Sequence, residues 1–180
     1  DTDDHIKPDT SMEALSRLRA AFGKEGTVTA GNASGIVDGG AAIIVTTAER
    51  AKAEGWEIKA HIRSWGVSGV EPHIMGIGPV PSMKQAAEKA GLNVHDMDFI
   101  EINEAFSAQY LACEKALELD RNKANVNGGA VAIGHPLGAT GTRLVLTLYH
   151  QLARAKARYG MASACIGGGQ GIAMLIERPQ

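Results

Sequence analysis

Apolar residues recur at two different spacings along the chain, which predicts helices alternating with strands. A spacing of three or four residues marks four helices, whose inward sides carry Leu15, Leu18 and Phe22; Met83, Ala86, Ala87 and Ala90; Phe106, Tyr110, Cys113 and Leu117; and Leu144, Val145, Leu148 and Leu152. A hydroxyl side chain with Glu or Gln three residues later opens two of them, at Thr10 and Ser82, and a short helix begins after Thr46. Glycines end three of these helices.

Short runs of apolar and β-branched residues predict the strands. They lie at residues 41–45, 58–70, 99–102, 161–166 and 172–177, and Val126 marks another short one. The last two flank a glycine turn and are expected to form an antiparallel hairpin. Because strands that alternate with helices are typical of a layered domain, we predict an α/β fold in which helices flank a mixed five-stranded sheet.

Length, charge and composition exclude several classes of protein. A chain of 180 residues is long enough for one domain with a hydrophobic core. Its formal net charge is -2 and aromatic residues make up 4%, so we expect no nucleic-acid binding. No apolar run approaches the roughly 20 residues of a membrane helix, and the acidic start DTDDHIKPDT is unlike a signal sequence, so we expect neither a membrane span nor secretion. Two cysteines outside any C-x-x-C pair favour a reducing compartment.

The sequence lacks the motifs of common cofactors. Neither glycine pattern typical of nucleotide binding, G-x-G-x-x-G or G-x-x-x-x-G-K-[ST], occurs in it. The six histidines form no close group of metal ligands with each other or with the cysteines. We therefore expect neither a metal ion nor a bound cofactor.

Three polar residues, Asn103, His135 and Cys165, stand where strands end and helices or turns begin. Ligands of α/β sheets bind in the crevice outside the carboxyl ends of the strands, so the three residues could form one site. Each also has a simpler explanation. Asn103 could cap a helix that begins near Glu104, and His135 could be a loop residue that bonds to the backbone. Cys165 could be a small buried hydrophobe.

Five blocks of the sequence resemble, in the family's order, signature blocks of the thiolases, the acetyl-CoA acyltransferases: TVTAGNASGIVDGGAA (27–42), MGIGPVP (75–81), NEAF (103–106), GGAVAIGHPLGATG (128–141) and CIGGGQG (165–171). The resemblance runs from about residue 8 to the end and is greatest to the 3-ketoacyl-CoA thiolases of fatty acid oxidation. Thiolases consist of two similar halves, and the chain resembles the C-terminal one. Residues 1–25 then form the end of a loop region and a leading helix, and 26–180 the C-terminal domain. Val37 stands where the family often has Asn.

The resemblance implies thiolytic cleavage of a 3-ketoacyl-CoA, or the reverse Claisen condensation, through an acyl-cysteine. That cysteine belongs to an N-terminal block which this sequence does not contain. His135 would activate the cysteine and help bind the thioester oxygen, while Asn103 would hold a water in the same oxyanion hole. Cys165 would move the α-proton. The amide of Gly167 would form a second oxyanion hole together with the cysteine of the other half.

The resemblance also implies how the substrate is held. Ser34 matches a position that contacts the pantetheine arm, and Met75 and Phe106 match positions that line the acyl or pantetheine pocket. The simpler explanations are that Ser34 belongs to a turn and that Met75 and Phe106 are core side chains. The small-molecule partners are acyl-CoA and CoA, so coenzyme A enters as a substrate and no cofactor is implied.

The lack of the nucleophilic cysteine leads us to expect that the chain alone is inactive. It is also expected to expose apolar surface and therefore to oligomerise or aggregate. The expected protein partner is the N-terminal thiolase half, within a homo-oligomer of the complete enzyme, in the cytoplasm of a bacterium or in the mitochondrion or peroxisome of a eukaryote. The alternative is a non-catalytic acyl-CoA-binding or assembly module. Asn103, His135 and Cys165 together favour the enzyme, because a binder needs no proton-transferring thiol.

Overall fold

The computed structural model describes residues 5–179, which form a four-stranded sheet with helices on both faces. The strands are β1 (His61–Gly69), β2 (Phe99–Ile102), β3 (Tyr159–Ile166) and β4 (Gln170–Glu177). The helices are α1 (Met12–Ser16), α2 (Ala48–Ala53), α3 (Pro79–Lys89), α4 (Ser107–Leu117), α5 (Ala130–Ile133) and α6 (Thr140–Ala155), with short 3-10 helices at Pro72–Ile77 and Val94–Asp96. The strand order is β1-β4-β3-β2.

The sheet is mixed, as the sequence predicts. Strands β3 and β4 form the expected antiparallel hairpin, and its turn contains Gly168 and Gly169 with φ values of 84° and 91°. Only glycine adopts such angles without strain, which explains the glycine run. Strand β1 pairs antiparallel with β4, whereas β2 pairs parallel with β3. The carboxyl ends of β2 and β3 therefore meet at one edge of the sheet.

Two helices cover opposite faces of this sheet. Met83, Ala86 and Ala87 of α3 are buried in one cluster with Leu175 of β4 and residues of β2 and β3. The apolar side of α6 packs on the other face in a second cluster, whose buried members are Leu144, Leu148, Leu152, Ala162 and Ile176. The inward sides predicted for both helices are confirmed.

Helix α4 extends the first cluster beyond the sheet edge. Its buried residues Tyr110, Cys113 and Leu117 lie on the predicted apolar side, so Cys113 is a core residue. The helix begins at Ser107 with Phe106 at the N-cap position. Asn103 therefore does not cap it, and that simpler explanation of Asn103 is wrong.

The expected fifth strand is not part of the sheet. Residues 41–45 have no regular secondary structure and form no ladder with any residue between 5 and 179, and Ile44 is 80% exposed. At the other sheet edge, Val126 lies in a turn, and the side chain of Asn125 closes β2 instead. Its Oδ1 accepts from the N–H of Ile102 and its Nδ2 donates to the carbonyl of Ile102, both at 2.9 Å. A side chain thus satisfies the backbone groups that another strand would have paired.

The N-terminal part is less helical than its apolar spacing predicts. Helix α1 covers five residues, and residues 1–4 of the predicted leading segment lie outside the described residues. The division of the chain at residue 25 stays a prediction. In the part that the structure describes, no helix has the length and apolar character needed to cross a membrane.

Candidate active site

The structure brings Asn103 and His135 into direct contact. Asn103 follows β2, and its N–H donates to the carbonyl of Ser163 in β3 at 2.9 Å. Its side chain is nearly inaccessible, at 1% exposure, and Nδ2 lies 3.3 Å from Nε2 of His135. Between residues 5 and 179, Asn103 Oδ1 has no hydrogen-bond partner. An unpaired buried amide oxygen is rare in folded proteins, so it distinguishes this strand end from the rest of the core.

Hydrogen bonds on both ring nitrogens of His135 define its tautomer. Nδ1 lies 2.6 Å from the Thr140 hydroxyl oxygen, and that hydroxyl donates its one proton to the Pro136 carbonyl at 3.0 Å. With this hydroxyl proton on Pro136, the hydroxyl accepts from Nδ1–H, and Nε2 of the neutral ring is then unprotonated and accepts from Asn103. Burial lowers the pKa of His135, and so does the positive charge of Arg143. The imidazole is consequently neutral at pH 7, with its basic nitrogen beside Asn103.

The carboxylate of Glu104 attaches the segment before α4 to the glycine-rich loop that carries His135. It accepts from the N–H of Val131 at 3.2 Å and from Nδ2 of Asn125 at 2.9 Å. A Cβ at Gly129 would overlap this carboxylate, so a larger residue there would displace the Glu104 side chain from its present position. Neither Glu104 nor Thr140 is singled out by the sequence pattern. For Thr140 the available signal was a hydroxyl residue five positions after the histidine, at the start of a helix.

Cys165 lies at the same sheet edge as Asn103. It is the penultimate residue of β3, pairs with Gly171 of β4 and is half-buried. Partial burial neither assigns Cys165 to the core nor excludes its explanation as a small buried hydrophobe. Burial raises the pKa of its thiol, and a backbone hydrogen bond offsets part of the rise. The thiol stays protonated at neutral pH, which suits a proton donor better than a nucleophile.

The second cysteine, Cys113, has a different environment. It is fully buried, its thiol donates to the carbonyl of Gly76 at 3.3 Å, and Nε2 of Gln109 donates to its sulfur at 3.7 Å. Burial raises the pKa of this thiol to about 11. A buried, protonated thiol in the core is chemically inert, so Cys113 serves packing.

The glycine turn after Cys165 is tightly packed on one side and open on the other. A Cβ at Gly171 would overlap the backbone of Gly78, so the close approach joins the turn to the start of α3. Gly167 is exposed, and a Cβ there would meet no atom within 4 Å. Its backbone is therefore accessible from the surface.

The three expected binding residues lie in two places. The hydroxyl of Ser34 donates to the carbonyl of Ala105 at 3.1 Å, one residue before Phe106. The ring of Phe106 meets that of Phe22 edge-on, with centroids 5.7 Å apart. Met75 is half-buried in the 3-10 helix before α3, next to the glycine that accepts from the core thiol. Ser34 and Phe106 thus form one neighbourhood before α4, and the segment that carries Met75 packs against α4 itself.

Residues 27–42 also reach the histidine loop. The N–H of His135 donates to the carbonyl of Gly35 at 2.8 Å. A cleft of about 350 Å³ lies beside this contact, lined by residues 37–41 and 136–139. No group of three or more His, Cys, Asp or Glu side chains in the described ranges is arranged to hold a metal ion.

Family descriptions match nearly the whole chain. The thiolase C-terminal domain matches residues 56–178, and the thiolase N-terminal domain matches residues 1–49. The human mitochondrial 3-ketoacyl-CoA thiolase is 52% identical over 175 residues, which are 97% of this chain and 44% of that protein. The acetyl-CoA acetyltransferase of Chromobacterium violaceum is 50% identical over 179 residues, which are 99% of this chain and 46% of that protein.

Solved structures agree with these relatives. The crystal structure of the Bacillus anthracis acetyl-CoA acetyltransferase matches with a TM-score of 0.94 at 49% identity, over 99% of this chain and 45% of that one. The human mitochondrial 3-ketoacyl-CoA thiolase in complex with CoA matches with a TM-score of 0.91 at 49% identity, over 99% and 45% of the two chains. The chain spans less than half the length of these relatives, and it belongs to the thiolase family.

Proposed function

We propose that this chain supplies the acid–base part of a thiolase active site. The reaction is the thiolytic cleavage of a 3-ketoacyl-CoA to acetyl-CoA and a shortened acyl-CoA, or the reverse condensation. The observation that carries the proposal is the contact between Asn103 and His135, at the sheet edge where β3 presents Cys165. The acyl group is carried by a cysteine of the family's N-terminal half.

The first step is attack of that cysteine on the 3-keto carbon. The unprotonated Nε2 of His135 takes the thiol proton, and the resulting Nε2–H then donates to an oxyanion. The amide of Asn103, fixed beside it, orients a water in the same oxyanion hole. The hydrogen bond to Thr140 holds the ring, so the basic nitrogen needs no reorientation between these two tasks.

Breaking the bond between C2 and C3 leaves an enolate of acetyl-CoA and an acyl-cysteine. Cys165 gives its proton to C2 in cleavage and removes it in condensation. A thiol whose pKa is raised by burial is protonated when cleavage requires an acid. The amide of Gly167 stabilises the oxyanion when the thiol of CoA then attacks the acyl-cysteine, and Ser34, Met75 and Phe106 hold the pantetheine and acyl parts.

An exposed apolar segment without strand partners supports docking of an N-terminal half. Residues 41–45 lie within the region that matches the thiolase N-terminal domain, and Ile44 is largely exposed. The segment forms no ladder with the described residues, so its N–H and C=O groups are free to pair with another sheet. We infer that it is a strand of the N-terminal domain.

A second apolar surface lies on the α6 side of the sheet. Trp65 and Val67 of β1 and Ile172 of β4 point to this side and are exposed, with Trp65 at 59%. A contiguous apolar surface of this kind is typical of a protein interface.

We expect residues 1–180 alone to have no thiolase activity and a hybrid enzyme to have it. In the hybrid, the part of the Chromobacterium violaceum relative that precedes the matched region is fused in front of this chain. The chain alone lacks the nucleophile and the second donor of one oxyanion hole, and loss of one such donor costs about 3 to 4 kcal/mol of barrier. The measurement is CoA-dependent consumption of acetoacetyl-CoA.

A hybrid without its N-terminal nucleophilic cysteine is the control and should be inactive. Ile44→Asp should abolish activity by preventing strand pairing, whereas Ile44→Val should retain it, because valine preserves an apolar, β-branched side chain. Acyl transfer by the chain alone would contradict the proposal. A folded hybrid that binds CoA without turnover would favour the non-catalytic module instead.

A further inference from the structure

A buried ion pair lies below the contact between Asn103 and His135. Arg143 of α6 approaches Glu101 of β2 with 3.7 Å between Nη1 and Oε2, and the Glu101 side chain is 2% exposed. Considering residues 5–179, neither that oxygen nor any guanidinium nitrogen has a hydrogen-bond partner. A buried pair held by charge alone contributes little to stability, since desolvation of both ions opposes their attraction. The position of the ion pair beside the contact between Asn103 and His135 indicates a role at that site and not in stability.

The ion pair connects the same two elements, α6 and β2, as the hydrogen bonds of the site. Glu101 and Asn103 are two residues apart at the end of β2, where alternate side chains share one side of the sheet. Thr140 and Arg143 are three residues apart in the first turn of α6 and are neighbours on its surface. Thr140 contacts His135, which contacts Asn103, while Arg143 contacts Glu101. Two connections thus join the start of α6 to the end of β2, and one of them is ionic.

The charges around His135 come from three elements. Arg143 on α6 is the charged group that acts on the imidazole directly, and it lowers the pKa of His135 in addition to the effect of burial. Glu101 on β2 and Glu104 after β2 act on Arg143. Burial raises the pKa of Glu101 to about 7, although Arg143 opposes the rise.

We propose that Glu101 and Arg143 form a positioning pair for His135: the carboxylate fixes the guanidinium against β2, one helical turn from the Thr140 hydroxyl that holds the imidazole. The benefit to catalysis rests on the proposed thiolase function, because a neutral imidazole is needed to accept the thiol proton. The effect on the imidazole itself does not depend on that function.

The test is an NMR titration of the histidine rings in the complete chain, with His135 assigned through the spectrum of His135→Gln. In Arg143→Gln the pKa of His135 should rise, because the repelling charge is gone. In Arg143→Lys it should stay near the wild-type value, because the charge is retained. In Glu101→Gln it should not rise, because the guanidinium remains. The exposed His150 is the internal control, and its ring signals at a given pH should be the same in every variant.

Two results would contradict the proposal that Glu101 and Arg143 position His135. One is an unchanged titration of His135 in Arg143→Gln. The other is a rise in both Arg143→Gln and Glu101→Gln, which loosened packing alone would produce by exposing the ring. If Arg143→Gln does not fold, the test rests on Arg143→Lys and Glu101→Gln. A rise in the pKa of His135 in either variant contradicts the proposal.

Kinetics in the hybrid enzyme separate this proposal from the proposed function. There, Arg143→Gln should lower kcat by up to about 100-fold with little change in KM, since small misplacement of a reacting group has effects of that order. Arg143→Lys should recover most of this loss. If the titrations behave as expected while the unmodified hybrid is inactive, the thiolase function fails and the positioning pair stands.

Discussion

Replacing His135 with alanine should lower thiolysis by the hybrid enzyme by at least about 10³-fold. The substitution removes both the base that takes the cysteine proton and a donor to the oxyanion, and each of these tasks contributes about 10² or more. Initial rates of acetoacetyl-CoA cleavage at saturating CoA measure the loss. The effect should fall on kcat rather than on KM, because the imidazole acts on charge that develops in the transition state.

His150→Ala is the matched control for this prediction. His150 is exposed on α6 and contacts only the neighbouring Tyr149 ring among the described aromatic contacts, with centroids 4.7 Å apart. Its loss should leave the rate within about twofold, since surface substitutions are usually small in effect. A His135→Ala enzyme that retains a tenth of its activity would show that another group activates the cysteine.

Replacing Cys165 with serine should lower the rate by about 10²- to 10⁴-fold while leaving the fold unchanged. Serine nearly preserves the volume, but its hydroxyl is a far weaker acid than a thiol, so protonation of C2 becomes slow. The wild-type rate should fall as the pH rises through the pKa of Cys165, which burial places above the ordinary cysteine value. A pH–rate profile of the hybrid enzyme measures both effects, and in Cys165→Ser that alkaline decline should disappear.

Cys113→Ala distinguishes the two thiols. Cys113 is buried against Gly76 and Gln109, so its loss should reduce the free energy of unfolding by about 1 kcal/mol while activity is retained. Thermal melts and rates on the same samples test this. Equal losses of activity in Cys113→Ala and Cys165→Ser would mean that Cys165 acts through packing and not through its proton.

Local patterns predict the helices and the hairpin because those elements are stabilised by residues close in sequence. The apolar side of α6 and the position of Cys113 in the core both follow from helical spacing. Residues 41–45 read as a buried strand, yet their burial depends on pairing partners that the described residues do not provide. The apolar spacing also predicts a longer helix than α1, because the apolar side of α1 has little to pack against.

The candidate site is only partly predictable for a related reason. Asn103 and Cys165 stand at the ends of β2 and β3, which parallel pairing brings together, whereas His135 follows helix α5 and not a strand, contrary to the prediction. The groups that hold them come from long-range packing. Even so, a charged residue within the apolar run of β2 was a signal for Glu101, because a charge on a buried strand requires a partner.

Acyl mapping by mass spectrometry tests the central claim most directly. The hybrid enzyme is incubated with acetyl-CoA in the absence of an acceptor, quenched in acid, digested and searched for acetylated cysteine. We expect acetylation of the N-terminal nucleophile, with Cys165 and Cys113 unmodified, because this chain contributes the acid and base and not the acyl carrier. An acetyl group found on Cys165 would contradict it.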